Sequence, residues 1–136
     1  MYEIKLDEAR LECLDEVLAF VDSLLERAEC PMKAQLQIDV AVEELYVNIA
    51  HYAYAPETGP AVIRAEIRDD PRGIAITFID RGAHFDPLAK PDPDVTLSAA
   101  ERQIGGLGIY MVKKSVDTME YARVDGENIL TIFKAF

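Results

Sequence analysis

The chain has 136 residues, of which 50% are hydrophobic and 29% are charged, a composition typical of one soluble globular domain with an ordinary core. Its 25 acidic and 14 basic residues give a formal net charge of -11 with no basic stripe, which argues against direct binding to DNA or RNA. The acidity serves solubility or attracts a basic protein partner. The sequence has no membrane-spanning run, no secretion signal, and two cysteines without disulfide or metal-site spacing. We therefore expect a single cytoplasmic domain over residues 1–136 that makes no membrane contact.

A short strand and an amphipathic helix are predicted at the start of the chain. Residues 2–6 alternate between apolar and polar types, which predicts a strand. From Asp7 the apolar residues recur at spacings of three and four, which predicts a helix to about Glu29. Asp7 is the predicted N-cap of this helix, and Pro31 ends it.

A second helix is predicted from about Met32 to Tyr54, and it is apolar nearly all round, which is typical of a largely buried helix. One polar stripe interrupts it, with spacings of seven, four and three residues. The stripe is either a single solvated edge or part of a site, because a carboxylate on a buried helix needs a partner or a role. Its members are Gln37, Glu44, Asn48 and His51.

The second half of the chain predicts two hairpins and a third helix. Residues 62–68 and 73–80 form the first hairpin, and residues 119–124 and 129–134 form a closing hairpin across Asp125-Gly126. Between them lie a long irregular connection, about 88–104, and a helix over 106–116. This order of elements predicts an α+β two-layer sandwich, with helices on one face of a mixed, mainly antiparallel sheet.

Gly105-Gly106-Leu107-Gly108 opens the predicted third helix and is a candidate phosphate site. Glycines let the backbone approach an anion, and a helix N-terminus offers unpaired N–H groups. Alone the pattern is weak, because glycines also simply end loops. It is neither a P-loop nor a dinucleotide-binding fingerprint.

Three polar residues could complete a nucleotide pocket. Asp80 ends a strand before Gly82, so it could accept a hydrogen bond from an exocyclic amine, although Asp-x-Gly is also an ordinary turn. Asn48 offers a neutral oxygen suited to Mg²⁺. Glu44, one turn earlier on the same helix face, could take a proton from an attacking hydroxyl or water.

The combination resembles a known family. Glu-x-x-x-Asn on a helix, then Asp-x-Gly-x-x-Phe-Asp-Pro, then Gly-Gly-Leu-Gly-Ile is similar to the motif set of the GHKL, or Bergerat, ATP-binding fold over about residues 32–134. The short single-domain form resembles the bacterial anti-sigma regulatory factors that are serine/threonine protein kinases. Any one motif is unspecific, whereas the three in this order and spacing are specific.

The resemblance implies a role for each matching position. Glu44 is implied as the general base, and Asn48 as a nucleotide-binding residue that ligates Mg²⁺. Residues 88–104 are implied as an ATP lid. The chain departs from many relatives in placing Tyr52, rather than a histidine, four residues after the metal-binding asparagine. The other implied nucleotide contacts are Asp80 to the adenine amino group, Gly82 beside the ring, Thr131 supporting the adenine side, and Gly105, Gly106, Leu107 and Gly108 to the phosphates.

The resemblance implies an ATP- and Mg²⁺-dependent enzyme that phosphorylates a serine or threonine of a small anti-anti-sigma protein of the STAS type. It also implies that the protein sequesters a sigma factor and forms a homodimer. An alternative is an ATP-gated protein-binding module without significant kinase activity. The retained Glu44 favours the kinase, and a sensor kinase is disfavoured because no phosphoacceptor helix or sensor segment is visible.

Overall fold

A computed structural model describes residues 1–88 and 106–136 of the chain. The predicted lid therefore lies outside the described residues except for Leu88, and so does Gly105. The described elements are β1 Tyr2–Leu6, a 3-10 turn Leu11–Cys13, α1 Leu14–Arg27, α2 Met32–Asn48, a π-helical turn Ile49–Ala53, β2 Ala61–Asp69, β3 Arg72–Asp80, α3 Gly106–Ser115, β4 Thr118–Val124 and β5 Glu127–Ala135.

The strands form one sheet in the order β1-β2-β3-β5-β4, and every pairing among them is antiparallel. The α+β sandwich with a mainly antiparallel sheet is confirmed. β3 is the central strand of the sheet. Apolar residues of β2 lie opposite apolar residues of β3, for example Ile63 opposite Phe78. Because β5 is the other neighbour of β3, the end of β3 at Asp80 lies opposite Asn128.

The helices bury their apolar faces on one side of this sheet, and α2 packs against both α1 and α3. Burial of these aliphatic side chains is the main stabilising contribution, about 1.5–3 kcal/mol for each fully buried large side chain. The helical part of the core consists of Val17, Val21, Leu24 and Leu25 from α1, Ile38, Ala41, Val42, Leu45 and Tyr46 from α2, and Ile109 and Val112 from α3.

The first helix begins later than the sequence predicts. The predicted start at Asp7 is wrong, because the backbone N–H of Ala9 donates to the carbonyl of Gly59 at 2.7 Å and ties this segment to the loop before β2. The chain then makes a 3-10 turn, and α1 starts at Leu14 with no side-chain cap at Cys13.

The second helix has the predicted extent, since α2 and the π-helical turn together reach Ala53. The prediction that it is largely buried is wrong for its outer side. Leu36 and Val40 are 57% and 47% exposed, because α2 has the sheet beneath it and helices on its two flanks but no described element over its outer side.

Two carboxyl groups meet between α1 and α2. The Oδ1 atoms of Asp22 and Asp39 are buried, and neither has a hydrogen-bond partner in the described part of the chain. Two ionised carboxylates only accept hydrogen bonds, whereas a proton on one of them supplies the missing donor. Burial, together with the neighbouring carboxyls of Asp22 and Glu26, raises the pKa of Asp39 from 3.8 to about 7.

This pair makes stability depend on pH. The folded pKa of Asp39 is raised, so folding takes up a proton between pH 3.8 and about 7, and this stabilisation is lost as the pH rises through that window. An amide at this position donates to Asp22 at every pH. We therefore expect Asp39→Asn to raise the melting temperature relative to the native protein more at pH 8 than at pH 5.

The control is Glu43→Gln, which neutralises an exposed carboxylate one turn further along α2. Thermal unfolding followed by circular dichroism at both pH values measures the two differences. An equal effect of Asp39→Asn at pH 5 and pH 8 would contradict the shared proton.

Candidate functional site

A cavity of about 180 Å³ opens between the C-terminal half of α2, its π-helical turn and the ends of β3 and β5. This is far more space than a single water molecule needs, so a small planar ring could enter it. Its walls are mainly apolar with a few converging polar groups, as in many ligand sites. The side chains with polar groups are Asn48, Asp80, Asn128, Tyr52, His84 and Tyr121, and the apolar walls include Leu45, Ile49, Ala53, Phe78, Phe85 and Leu130.

Asp80 is the buried carboxylate of this cavity, with only 7% of its surface exposed. Its Oδ1 accepts hydrogen bonds from the backbone N–H of Gly82 at 2.8 Å and from Nδ2 of Asn128 at 2.9 Å. Both of the hydrogen bonds that the described residues donate to this carboxylate end on Oδ1. Oδ2 is therefore left to accept a hydrogen bond from a ligand in the cavity.

Asn128 holds Asp80 in this orientation, and the sequence motifs did not reveal it. Its Nδ2 donates to both Asp80 and the carbonyl of Ala83, while its Oδ1 accepts from the hydroxyl of Tyr121 and from Nη1 of Arg123. Desolvation raises the pKa of Tyr121, so this hydroxyl stays protonated and able to donate. With both amide ends engaged, the side chain cannot flip without losing hydrogen bonds.

Thr131 does not take the place predicted for it on the adenine side. It lies three residues after Asn128 on β5, an odd spacing that puts its side chain on the opposite face of the sheet. There its hydroxyl pairs with that of Thr77 at 3.1 Å. That prediction is wrong about the contact, because β-strand alternation gives the position beside Asp80 to Asn128.

Gly82 has a packing role that the sequence did not predict. A Cβ at this position would lie 2.2 Å from the carbonyl oxygen of Ala53, so only glycine lets the turn after β3 rest on the π-helical turn. The next residue, Ala83, donates its N–H to that same carbonyl at 3.0 Å. Nη1 of Arg123 donates to the carbonyl of Gly82 at 2.8 Å and completes the attachment of this turn.

The polar stripe of α2 divides between two surroundings. Glu44 is exposed and extends towards the first turn of α3, where its Oε2 lies 2.4 Å from the position that a Cβ on Gly108 would take. Asn48, one turn later, lines the cavity. His51 is exposed and contacts the ring of Tyr52 edge-on, with centroids 6.0 Å apart. Glu44 and Asn48 therefore share a face that meets the start of α3 and the cavity.

The residues present fit a weakly protein-bound magnesium ion and an anion. In residues 1–88 and 106–136 no three His, Cys, Asp or Glu side chains cluster as metal ligands. Mg²⁺ needs only one or two protein oxygens when phosphates and water complete its shell, and the amide of Asn48 beside Glu44 offers such oxygens. α3 starts at Gly106 without an acidic residue in its first turn, so its N-terminus favours anionic groups.

Comparison with known proteins identifies the class of protein. Residues 8–134 match the histidine kinase-like ATPase domain, and the chain belongs to that family. An ATPase domain uses ATP, and the cavity beside Asp80 is the candidate site for that nucleotide. No helix in the described residues is long and apolar enough to cross a membrane.

Particular relatives are similar to this chain. The serine/threonine-protein kinase BtrW of Bordetella bronchiseptica is 26% identical over 117 residues, which cover 86% of this chain and 82% of BtrW. The RsbU and RsbW domains of Rv1364c from Mycobacterium tuberculosis match with a TM-score of 0.66 at 15% identity, over 99% of this chain and 32% of that longer one. In the SiaB-SiaC complex from Pseudomonas aeruginosa, one chain matches with a TM-score of 0.60 at 13% identity, over 98% of this chain and 89% of that one.

We predict that Asn128→Ala weakens binding of ATP and ADP alike, by roughly 1–2 kcal/mol, because Asp80 loses a donor that orients it. Thr131→Ala, on the same strand, should leave both affinities unchanged. Isothermal titration calorimetry of the two variants measures the difference. If Thr131→Ala weakened binding as much as Asn128→Ala, the assignment of Asn128 to the pocket would be wrong.

Proposed function

We propose that this chain is an ATP- and Mg²⁺-dependent serine/threonine kinase that phosphorylates a small anti-anti-sigma protein of the STAS type and sequesters a sigma factor. The observation that carries the proposal is the meeting of two features on one side of the sheet. Asp80 presents an unused Oδ2 inside an apolar cavity, and Glu44 lies beside Asn48 at the start of α3.

The nucleotide is held at both ends in this proposal. The adenine amino group donates to Oδ2 of Asp80, and the ring lies against the apolar walls of the cavity. The phosphates take the N–H groups of Gly105, Gly106, Leu107 and Gly108, where the dipole of α3 favours negative charge. Asn48 ligates Mg²⁺, and residues 88–104 close over the phosphates as a lid.

Glu44 is the proposed general base. A carboxylate placed near the γ-phosphate accepts the proton of the attacking hydroxyl as the bond from that oxygen to phosphorus forms and the bond from phosphorus to the β,γ-bridging oxygen breaks, releasing ADP. The attacking oxygen therefore carries less positive charge in the transition state. Bound Mg²⁺ would supply charge stabilisation on the phosphate oxygens. The close approach of Glu44 to the first turn of α3 supports this placement, because the carboxylate occupies the space that a side chain at position 108 would otherwise fill.

The acceptor is supplied by a second protein. Similarity to BtrW, which is named a serine/threonine-protein kinase, supports transfer to a hydroxyl. The likeness to a chain of the SiaB-SiaC complex supports docking of a separate partner. A phosphate on the acceptor would add charge next to a chain of net charge -11, which weakens docking and leaves the kinase to hold a sigma factor. We also propose that the protein acts as a cytoplasmic homodimer.

An ATP-gated binding module is the second candidate. The retained Glu44 does not exclude it, because a carboxylate beside a nucleotide site can persist without a physiological acceptor. In that case ATP would change which partner is held, with little phosphoryl transfer.

Two substitutions on α2 distinguish the functions of neighbouring residues. Glu44→Gln keeps the shape of the side chain and should leave ATP affinity nearly unchanged while abolishing turnover, because a general base acts in the transition state. Asn48→Ala should lower the Mg²⁺-dependent part of ATP affinity. Calorimetry with and without Mg²⁺ gives affinity, and the intact mass of the anti-anti-sigma protein encoded nearest to this chain gives phosphoryl transfer.

The native protein with Mg-ATP should add one phosphate to that partner. If the partner gained no phosphate while ATP still changed complex formation, the result would support the binding module and contradict the kinase. If both variants bound ATP normally and transferred phosphate fully, the polar stripe of α2 would be only a solvated edge of the helix.

A further inference from the structure

α2 presents an apolar stripe that neither the core nor the nucleotide pocket uses. We call Met32, Leu36 and Val40 the α2 stripe. They are 68%, 57% and 47% exposed and follow one another at spacings of four residues, so they share one face of the helix. α2 packs between α1 and α3, which places this stripe at the centre of the outer surface of the helical layer.

Carboxyl groups border the α2 stripe on the side of α1. Asp39 and Glu43 lie three residues after Leu36 and Val40, respectively, and are therefore their neighbours on the helix surface. Asp22 of α1 meets Asp39, and Glu26 is close enough to raise its pKa further. None of these four carboxylates is in an ion pair within the described part of the chain.

The Asp22–Asp39 pair lacks a compensating cation. Its two Oδ1 atoms are buried without a hydrogen-bond partner among the described residues, and a buried polar atom without a partner is destabilising. A shared proton offsets part of this cost, and a cationic donor from outside the chain would offset more. The pair therefore favours a ligand that carries positively charged N–H donors.

We propose that the outer surface of α1 and α2 docks an amphipathic helix of a separate protein, with the apolar side of that helix on the α2 stripe and its Lys or Arg side chains over Asp22, Asp39 and Glu43. The inference deepens the proposed function, because it gives the chemistry of the partner that the kinase holds, and it rests on that function only in assuming such a partner. Helices in apolar grooves are a common recognition mode, and charge complementarity fixes their orientation.

Charge selects this occupant over the alternatives. A second copy of the chain placed by a two-fold axis would bring the same carboxylates of α1 and α2 against one another, and like charges at close range cost energy. An anionic membrane surface would be repelled by a chain of net charge -11 for the same reason. A basic amphipathic helix satisfies both the apolar stripe and the carboxyl groups.

Asp39 provides a spectroscopic signature of docking. The titration of Asp39 in the unbound protein is governed by burial, by Asp22 and by Glu26. Burial raises the pKa of Cys30, the thiol between α1 and α2, and Asp39 raises it further. Arg72 acts on Cys30 in the opposite direction. A Lys or Arg side chain placed over the pair would lower the pKa of Asp39, which carboxyl ¹³C chemical shifts report directly.

The test uses two synthetic helices of about 18 residues, five turns each, with Leu on one face and either Lys or Glu on the other. Nucleotide is left out, so failure of this test is separate from failure of phosphoryl transfer. Isothermal calorimetry measures affinity, and amide and carboxyl chemical shifts locate the contact. We expect the Lys helix to bind at α1 and α2 and to lower the pKa of Asp39, while the Glu helix does not bind.

The matched variants are Leu36→Ser with Val40→Ser on the stripe, and Val124→Ser at a position on β4 that is 48% exposed. The stripe variant should lose about tenfold or more in affinity for the Lys helix, and the control should lose none. Circular dichroism checks that each variant folds. The proposed docking surface would be wrong if both variants bound the Lys helix alike or if the Glu helix bound as well as the Lys helix. It would also be wrong if the chemical-shift changes mapped away from α1 and α2, or if the α2 stripe mediated self-association of the native protein.

Discussion

The orientation of one buried carboxylate determines the geometry of the pocket. Asp80 has to face the cavity with one oxygen while its other oxygen is held, and the turn after β3 and the first residues of β5 supply the two donors, Gly82 and Asn128. This arrangement requires the antiparallel pairing of β3 with β5, and it requires that the turn rest on the carbonyl of Ala53. The strand order of the sheet, the π-helical turn after α2 and the hydrogen bonds to Oδ1 therefore all contribute to the placement of Asp80, because buried polar groups need defined partners.

α2 carries most of the other side chains to which we assign a role. Its inner face forms the core, one flank carries Glu44 and Asn48 towards α3, and the other flank carries Asp39 towards α1. Its outer face carries the α2 stripe. A partner docked on that face would contact the same helix that holds the proposed base and the proposed metal ligand. Movement of α2 is then a direct physical route by which partner binding and nucleotide binding would affect one another.

The sequence predicted the elements well wherever local pattern decides them. β1 matches its alternation, and the closing hairpin turns at Asp125-Gly126, where both residues adopt positive φ values of 50° and 81°. Tertiary contacts decided the rest. The hydrogen bond from the N–H of Ala9 to the carbonyl of Gly59 makes α1 begin later than its apolar pattern does. The hydrophobicity of Leu36 did not reveal that its side chain is exposed. Asn128 was missed because it lies two residues after the Asp125-Gly126 turn and asparagine is a common turn residue. Only the register of β5 against β3 identifies it and places Thr131 on the other face.

Asp80 is proposed to recognise a base through an amino group, and a comparison of ATP with inosine triphosphate on the native protein measures this recognition. The two nucleotides differ only in the base, where inosine carries a carbonyl in place of the exocyclic amine. A hydrogen-bond acceptor would then face the carboxylate of Asp80, leaving a buried acceptor without a donor at a cost of about 1–3 kcal/mol. Calorimetry at equal Mg²⁺ should therefore give at least about tenfold weaker binding of inosine triphosphate. Equal affinity for the two nucleotides would contradict recognition of the amino group by Asp80.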